Sequence, residues 1–504
     1  MRISKLVPFI CLGSAYALPA LTLPWFGQLP LEGLVKYWDY FHGLDEERTI
    51  YQVLKDDKKF SRLVKAIDLS DRVVELLDDS SKNITFFAVP NSALKRPHKP
   101  RKDDERPAPS SMGDSRDIAH DLTHLVLQAE ELDLQPDSPD KEHRKEALGR
   151  ILRGILAYHI LPKWHDSFSL IENSTFATNL TLKDGSMDYE PLRLSVQSTT
   201  VPPRLRINTF VEVTKRDIEA KNGIIHQISH PLLPPPSIFQ EAFLVPEVFS
   251  YVTSAIQRVG LTGAIDRWHA PGEDGEKGGF YGATSTTFFA PTSGAFQRLP
   301  KKLRLFLFSS FGEGALKKLL EFHIVPNFVL HSGDQRHSFM CADYYHNATS
   351  EGSDLASFYD DLQHAQMHSG KPGAFFFTED DDTGVDLDKN PPPPLPKPVY
   401  EYNITLPTLL ENHTLHVHVA RYKSKIPVPG PARFFTRFKV NGREVGSFDI
   451  PARNGALHVI GILLNPRKRY HRHDGHDDHH EHSKGYDDSW NDWEEWLPQW
   501  AMEN

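Results

Sequence analysis

Four blocks of this sequence occur twice, in the same order, and that duplication restricts the chain to two copies of one folding module. Phe60-Ser61 followed by Ala66-Ile67 returns as Phe249-Ser250 followed by Ala255-Ile256. Thr85-Phe86-Phe87-Ala88 returns as Thr287-Phe288-Phe289-Ala290, each with a proline within two residues. Leu156-Ala157-Tyr158-His159-Ile160-Leu161-Pro162 returns as Leu320-Glu321-Phe322-His323-Ile324-Val325-Pro326. The longest match runs Asp217-Ile218-x-Ala220-x-Asn222-Gly223-x-x-His226-x-Ile228 and returns as Asp449-Ile450-x-Ala452-x-Asn454-Gly455-x-x-His458-x-Ile460. A chain of 504 residues is in any case too long for one hydrophobic core.

The spacing between blocks differs, which locates the insertions. The first copy is long between its Thr-Phe-Phe and His blocks, the second between its His and Asn-Gly blocks. Residues 95–140 are rich in proline, serine and charge, and residues 335–400 carry Asp380-Asp381-Asp382 and the run Pro391–Pro394. Neither composition buries much apolar surface, so both are expected to be mobile surface insertions.

Within one copy the periodicities specify mixed elements. Thr49-x-x-Gln52 and Ser237-x-x-Gln240 have the form of a capping box that opens a helix. Phe60, Leu63, Val64 and Ile67 recur at helical spacing, as do Leu148, Ile151, Leu152, Ile155, Leu156 and His159, with Pro162 ending the second helix. Thr85–Val89 and Ile224–Ile228 are short apolar β-type runs, and the Asn-Gly pairs mark turns. The expected fold class is α+β, helices packed on antiparallel sheet, twice over.

The Thr-Phe-Phe-Ala block, the Tyr/Phe-His block and the Asn-Gly-x-x-His-x-Ile block together resemble the hallmark segments of the fasciclin (FAS1) domain family. The resemblance covers roughly 41–235 and 236–467. It implies a twisted β-wedge of about seven strands with helices along one edge in each copy, and a role in adhesion or protein binding without catalysis. It also implies partner contact at Tyr158-His159, Phe322-His323, Asp217-Ile218 and Asp449-Ile450. Val89-Pro90-Asn91 departs from the family's usual Pro-Thr-Asn in the first copy.

The ends of the chain read as an address and a tail. Arg2 and Lys5, the apolar Leu6–Leu12 and Ala15-Tyr16-Ala17 form a signal peptide over 1–17. Residues 18–40 follow, and Leu31, Leu34, Val35, Trp38 and Phe41 form an amphipathic stripe there. No later segment has the length of apolar sequence that a transmembrane helix needs, and no lipid-anchor signal closes the chain. Sequons begin at Asn83, Asn173, Asn179, Asn347, Asn403 and Asn412, where sixteen asparagines would give about two by chance. The chain is therefore expected in the secretory pathway, with the vacuole lumen and the medium or cell wall both open as destinations. Once the signal peptide is removed Cys341 is the lone cysteine, so no intramolecular disulfide holds the fold.

A net charge of −10 argues against a nucleic-acid partner, and the expected partner is an unidentified protein or glycan. No cofactor fingerprint, nucleophile elbow or zinc-hydrolase motif is present. The recurring histidines have two readings: chemistry or partner contact on one side, and a neutral imidazole satisfying backbone in the core on the other. The Asp-Ile pairs divide in the same way, between an interface and a turn aspartate beside a core isoleucine. Residues 468–504 are a separate acidic tail. His471, His473, His476, His479, His480 and His482 offer a weak metal site or a solubilising tract. Trp490, Trp493, Leu497 and Trp500 keep helical spacing, to pack on the chain's own domains or on a partner. Two alternatives to a binding protein remain: a lumenal hydrolase with a loop-built site, and a metal-handling protein acting through the histidine tail.

Overall fold

The computed structural model describes residues 47–94, 139–200, 203–270, 278–333, 398–424, 433–467 and 490–503. The signal peptide, the 18–40 segment, most of both insertions, Asn347, Cys341 and the histidine tract lie outside them.

In the first copy, helices α1 (Ile50–Asp56), α2 (Ser61–Asp68) and α3 (Asp71–Asp78) precede strand β1 (Ile84–Ala88). Helix α4 (Pro139–Tyr158), β2 (Ile160–Leu161) and a single turn, α5 (Ser167–Leu170), follow. Strands β3 (Thr175–Thr181), β4 (Pro191–Thr200), β5 (Pro203–Ile207), β6 (Val211–Ala220) and β7 (Gly223–Ile228) complete it. The strands form one seven-stranded sheet in the order β2-β1-β7-β6-β5-β4-β3. β1 and β7 run parallel, and the other pairs are antiparallel.

The second copy opens with α6 (Ile238–Phe243), α7 (Pro246–Arg258) and α8 (Thr262–Ile265). A hairpin of β8 (Arg267–Ala270) and β9 (Gly279–Gly282) comes next, then β10 (Thr286–Pro291). Helices α9 (Ser293–Gln297), α10 (Lys301–Leu307) and α11 (Glu313–Glu321) lead to β11 (Ile324–Pro326), β12 (Pro398–Pro407), β13 (Thr414–Ser424), β14 (Arg433–Val440), β15 (Arg443–Ala452) and β16 (Gly455–Ile460). Its sheet order is β11-β10-β16-β15-β14-β13-β12, the same topology strand for strand. β10 and β16 are again the parallel pair. Both capping boxes are made: Thr49 and Ser237 each accept from, and are returned by, a glutamine three residues on. Two expected boundaries move. α4 stops at Tyr158, four residues before Pro162, because β2 begins at Ile160 and takes the chain into the sheet. β12 begins at Pro398, inside the range expected to be an insertion.

Apolar side chains from helices and sheet fill cores on both sides of each wedge. Ile50, Leu54, Leu63, Phe86 and Leu156 meet on one side of the first sheet, and Phe87, Leu152, Leu192 and Leu205 on the other. The C-terminal tryptophans extend the second copy's core. Helix α12 (Trp493–Met502) packs on α10 and α11, burying Trp490 and Leu497 completely. Trp493 lies against Phe306, with ring centroids 5.3 Å apart. Lys318 binds the Trp500 carbonyl at 2.8 Å. Of the two readings of this segment, packing on the chain's own domain is the one the structure shows.

The copies also meet each other. Asp184, with a side chain only 4% exposed, accepts from Arg453 Nε at 3.0 Å and from the Arg453 Nη2. Ser285 Oγ donates to Asp188 at 2.6 Å, the Met187 N–H to the Thr284 carbonyl at 2.8 Å, and Arg421 Nη2 to the Ile171 carbonyl at 2.8 Å. Burial opposes the charge of Asp184, but hydrogen bonds from Ser186 and the Arg453 guanidinium hold its carboxyl below the ordinary range.

Candidate functional site

The polar residues that recur in both copies are the candidate site, and each is fastened to backbone. His159, just past the end of α4 rather than on its apolar stripe, is fully buried. Its Nδ1 donates to the Ile155 carbonyl at 2.8 Å and its Nε2 accepts from the Leu232 N–H at 3.0 Å. His323 repeats this with the Leu319 carbonyl at 2.6 Å and the Leu464 N–H at 3.0 Å. One nitrogen faces an acceptor and the other a donor, so each ring is held as one neutral tautomer. Burial lowers both to about 4. The imidazole thus ties the end of a helix to the segment that leaves the sheet.

His226 and His458 form a second matched pair with the opposite tautomer. Nε2 donates to the carbonyl of His165 or Leu330, at 2.9 and 3.0 Å. Nδ1 accepts from the N–H of Asp217 or Asp449, at 3.3 and 3.2 Å. Burial lowers both pKa values.

The aspartates of the Asp-Ile pairs occupy irregular positions in β6 and β15, with φ of 56° and 59°. Asp217 accepts from the Ser167 N–H at 2.7 Å and from its hydroxyl, and Asp449 does the same for Ser332, with 2.8 Å to the N–H. Ile218 and Ile450 are half-buried and lean on the helical cores. The copies differ in access. The Asp217 side chain is 35% exposed and that of Asp449 2%. Ser332, which Asp449 caps, also meets Ser174 of the first copy, Oγ to Oγ 3.0 Å, so the seam between copies closes over the second pair.

Tyr158 is buried, its hydroxyl donating to the Arg193 carbonyl and accepting from Asn208, both at 2.9 Å. Phe322 is buried in the second sheet's apolar core. A partner therefore has no access to Tyr158, His159, Phe322, His323 or Asp449 in this conformation. Among the sequons described, Asn83, Asn179, Asn403 and Asn412 are exposed, and Asn173 is half-buried at the seam.

Sequence reading assigned no role in the core to two further matched sets. Asn222 and Asn454 are fully buried: Oδ1 accepts from the first helical N–H of α1 or α6, at 2.8 and 3.0 Å. Nδ2 donates to the Leu77 carbonyl in one copy and the Ile265 carbonyl in the other. Thr85 and Thr287 each donate to one carbonyl and accept one N–H of the strand-leaving segment, all at 2.8 Å. The signal was present: a polar residue recurring inside an apolar strand or beside a turn glycine has a partner in the core.

The described residues do not bring these groups together into a cleft, and no three metal-binding side chains among them converge. A shallow groove of about 300 Å³ lies between Leu69 and the outer face of α4, lined by Glu142, Lys145, Glu146, Gly149 and Arg153, none of them a recurring residue. No helix among the described residues is long and apolar enough to cross a membrane.

A family model described as "Fasciclin domain" matches residues 139–234 and 247–366. The chain is similar to "Stabilin-2" of Mus musculus, 28% identical over 197 residues, which is 36% of this chain and 7% of that protein. It is also similar to a "Fasciclin-like arabinogalactan protein" of Arthroderma benhamiae, 25% identical over 242 residues, 44% of this chain and 48% of that one. The match thus spans less than half the length of either relative. A solved FAS1 domain pair from the insect cell adhesion molecule Fasciclin I aligns over 80% of this chain and 97% of its own, at 13% identity and a TM-score of 0.26.

Proposed function

Because this chain belongs to the fasciclin-domain family, with the domain in tandem, we propose that it is a non-catalytic adhesion or interaction protein that binds another protein or a glycan. The working modules are 41–235 and 236–467, and the setting is outside the cell rather than the vacuole lumen. One observation carries this reading. Every matched histidine, aspartate, asparagine and threonine is spent on holding backbone, the aspartates with a serine hydroxyl besides, so the recurring chemistry builds the scaffold and leaves binding to the surface. A hydrolase would need such groups to converge on one pocket. Of the residues assigned to partner contact by resemblance, Asp217 and Ile218 are the pair a partner reaches without unfolding the domain.

Cross-linking in the native compartment tests this. The same macromolecule is expected from repeated captures, with Asp217→Asn reducing its yield. Asp449→Asn is expected to lower the melting temperature instead, since its carboxylate is enclosed. Turnover of a glycoside or peptide by the purified chain, with no partner captured, would sink the proposal.

A further inference from the structure

The β8–β9 hairpin has no counterpart in the first copy, where α3 ends at Asp78 and β1 begins at Ile84. It is an addition to the shared fold, and it carries large aromatic side chains that the core does not use. Trp268 is 40% and Tyr281 55% exposed. The two are cross-strand partners, so both rings stand on one face of the hairpin. Their centroids are 6.4 Å apart at 29°. That separation is near the far end of the range of about 4.5–7 Å for offset-stacked pairs, so the rings overlap little and keep ring surface open.

Two glycines flank the rings. A side chain at Gly282 would strike the Asp266 carbonyl and then the Trp268 ring at 2.8 Å, and one at Gly279 would reach Tyr281 at an ordinary contact distance of 3.7 Å. The opposite face is anchored at the seam. The Arg453 guanidinium lies 5.1 Å over the Phe280 ring, and Arg267 Nη1 donates to the Gly282 carbonyl at 2.9 Å. The hairpin that carries the two rings is therefore fastened on its other face.

We propose that this face is a stacking site for a neutral saccharide. It rests on the binding role proposed above and names a ligand class and a place for it. Among the described residues, charge and area both select that class. On the exposed face Trp268, Ala270, Gly279 and Tyr281 carry no charge, while the nearby guanidiniums are directed to Asp184, Gly282 and Phe280. The open ring surface is on the order of 200 Å². A stable protein interface takes about 800 Å² from each partner, so this area is too small for one and matches one or two sugar units. A pyranose presents an apolar C–H face to an aromatic ring and hydroxyls at its rim, where the Tyr281 hydroxyl stands.

Calorimetric titration of the full chain with laminarihexaose, cellohexaose and α-1,6-mannohexaose, beside decaproline and a heparin hexasaccharide, tests the site. At least one neutral oligosaccharide is expected to bind with a Kd of about 1 mM or tighter. Trp268→Ala and Tyr281→Ser are each expected to weaken it at least tenfold at an unchanged melting temperature. If Trp268→Ala misfolds, Tyr281→Ser alone carries the reading. Binding to none of the three, undiminished binding by Tyr281→Ser, or binding of decaproline or heparin at these rings instead would overturn the site. Cross-linking of the parent chain separates the two proposals: a partner captured by a chain that binds none of the three oligosaccharides leaves the general role standing and removes this site.

Discussion

The four recurring imidazoles are buried and neutral, and the sign of their effect on stability follows from the direction of their shifts. Burial lowers His159 and His323 from 6.5 to about 4, and lowers His226 and His458 as well. In the unfolded chain each takes up a proton near pH 6.5, whereas the folded state resists until the lowered value. Between those limits the unfolded state binds more protons, so stability falls as pH falls. The loss is on the order of 3 kcal/mol apiece for His159 and His323 by pH 4. Glu241, half-buried and pushed up to about 7 by burial, and Glu321, raised by burial as well, act in the opposite sense, but they are two groups against four. Urea midpoints measured from pH 7.5 to 4.5 are expected to fall, and the slope should shallow in His323→Phe. A flat profile would contradict the tautomers assigned above. These histidines were visible as recurring residues; that each is held as one tautomer was not, because the Leu232 and Leu464 N–H groups come from chain more than seventy residues away.

At the level of elements, the turn before the last strand is the tightest point of both copies. Gly455 starts β16 beside β10, and a Cβ there would lie 1.8 Å from the Thr286 carbonyl oxygen. Gly223 stands in the same relation to Ile84, at 2.0 Å. Only glycine lets the parallel pair close, while the preceding asparagine fastens the sheet to the first helix of its copy. Gly455→Ala is expected to destabilise by at least about 3 kcal/mol in denaturant unfolding. Gly154→Ala, in α4 with no heavy atom within 4 Å of the added carbon, should stabilise by about 0.5–1 kcal/mol. The Asn-Gly pair was legible as a turn. That it also secures a helix over a hundred residues away in sequence depended on the parallel pairing of β1 with β7, which brings distant segments side by side.

Across the whole molecule, the seam makes one body of two modules. Gly185, Met187, Asp188 and Tyr189 all have φ between 52° and 82°, a run that side-chain-bearing residues adopt at a cost. Bonds from Thr284, Ser285, Arg267 and Arg453 in the second copy hold it there. Asp184→Ala is expected to split a single calorimetric unfolding transition into two, one per module. Because the Asp184 carboxyl is held below its ordinary range, its contribution is present above the usual carboxylate pKa and is lost as pH falls below it. A single transition in both the variant and the parent would show that the remaining seam contacts couple the copies without the Asp184–Arg453 pair.

Two modules of one α+β design, the capping boxes that open α1 and α6, the apolar strands β1 and β7 and the Asn-Gly turns were readable in the sequence, because each is written in periodicity and in local hydrogen-bonding chemistry. Tertiary structure decided the rest. It turned Asp217 partly outward and enclosed Asp449, laid the C-terminal tryptophans on α10 and α11, and left Trp268 and Tyr281 uncovered. Two equal motifs acquire unequal exposure only when their copies pack against each other, and that contact joins residues with no relation in sequence.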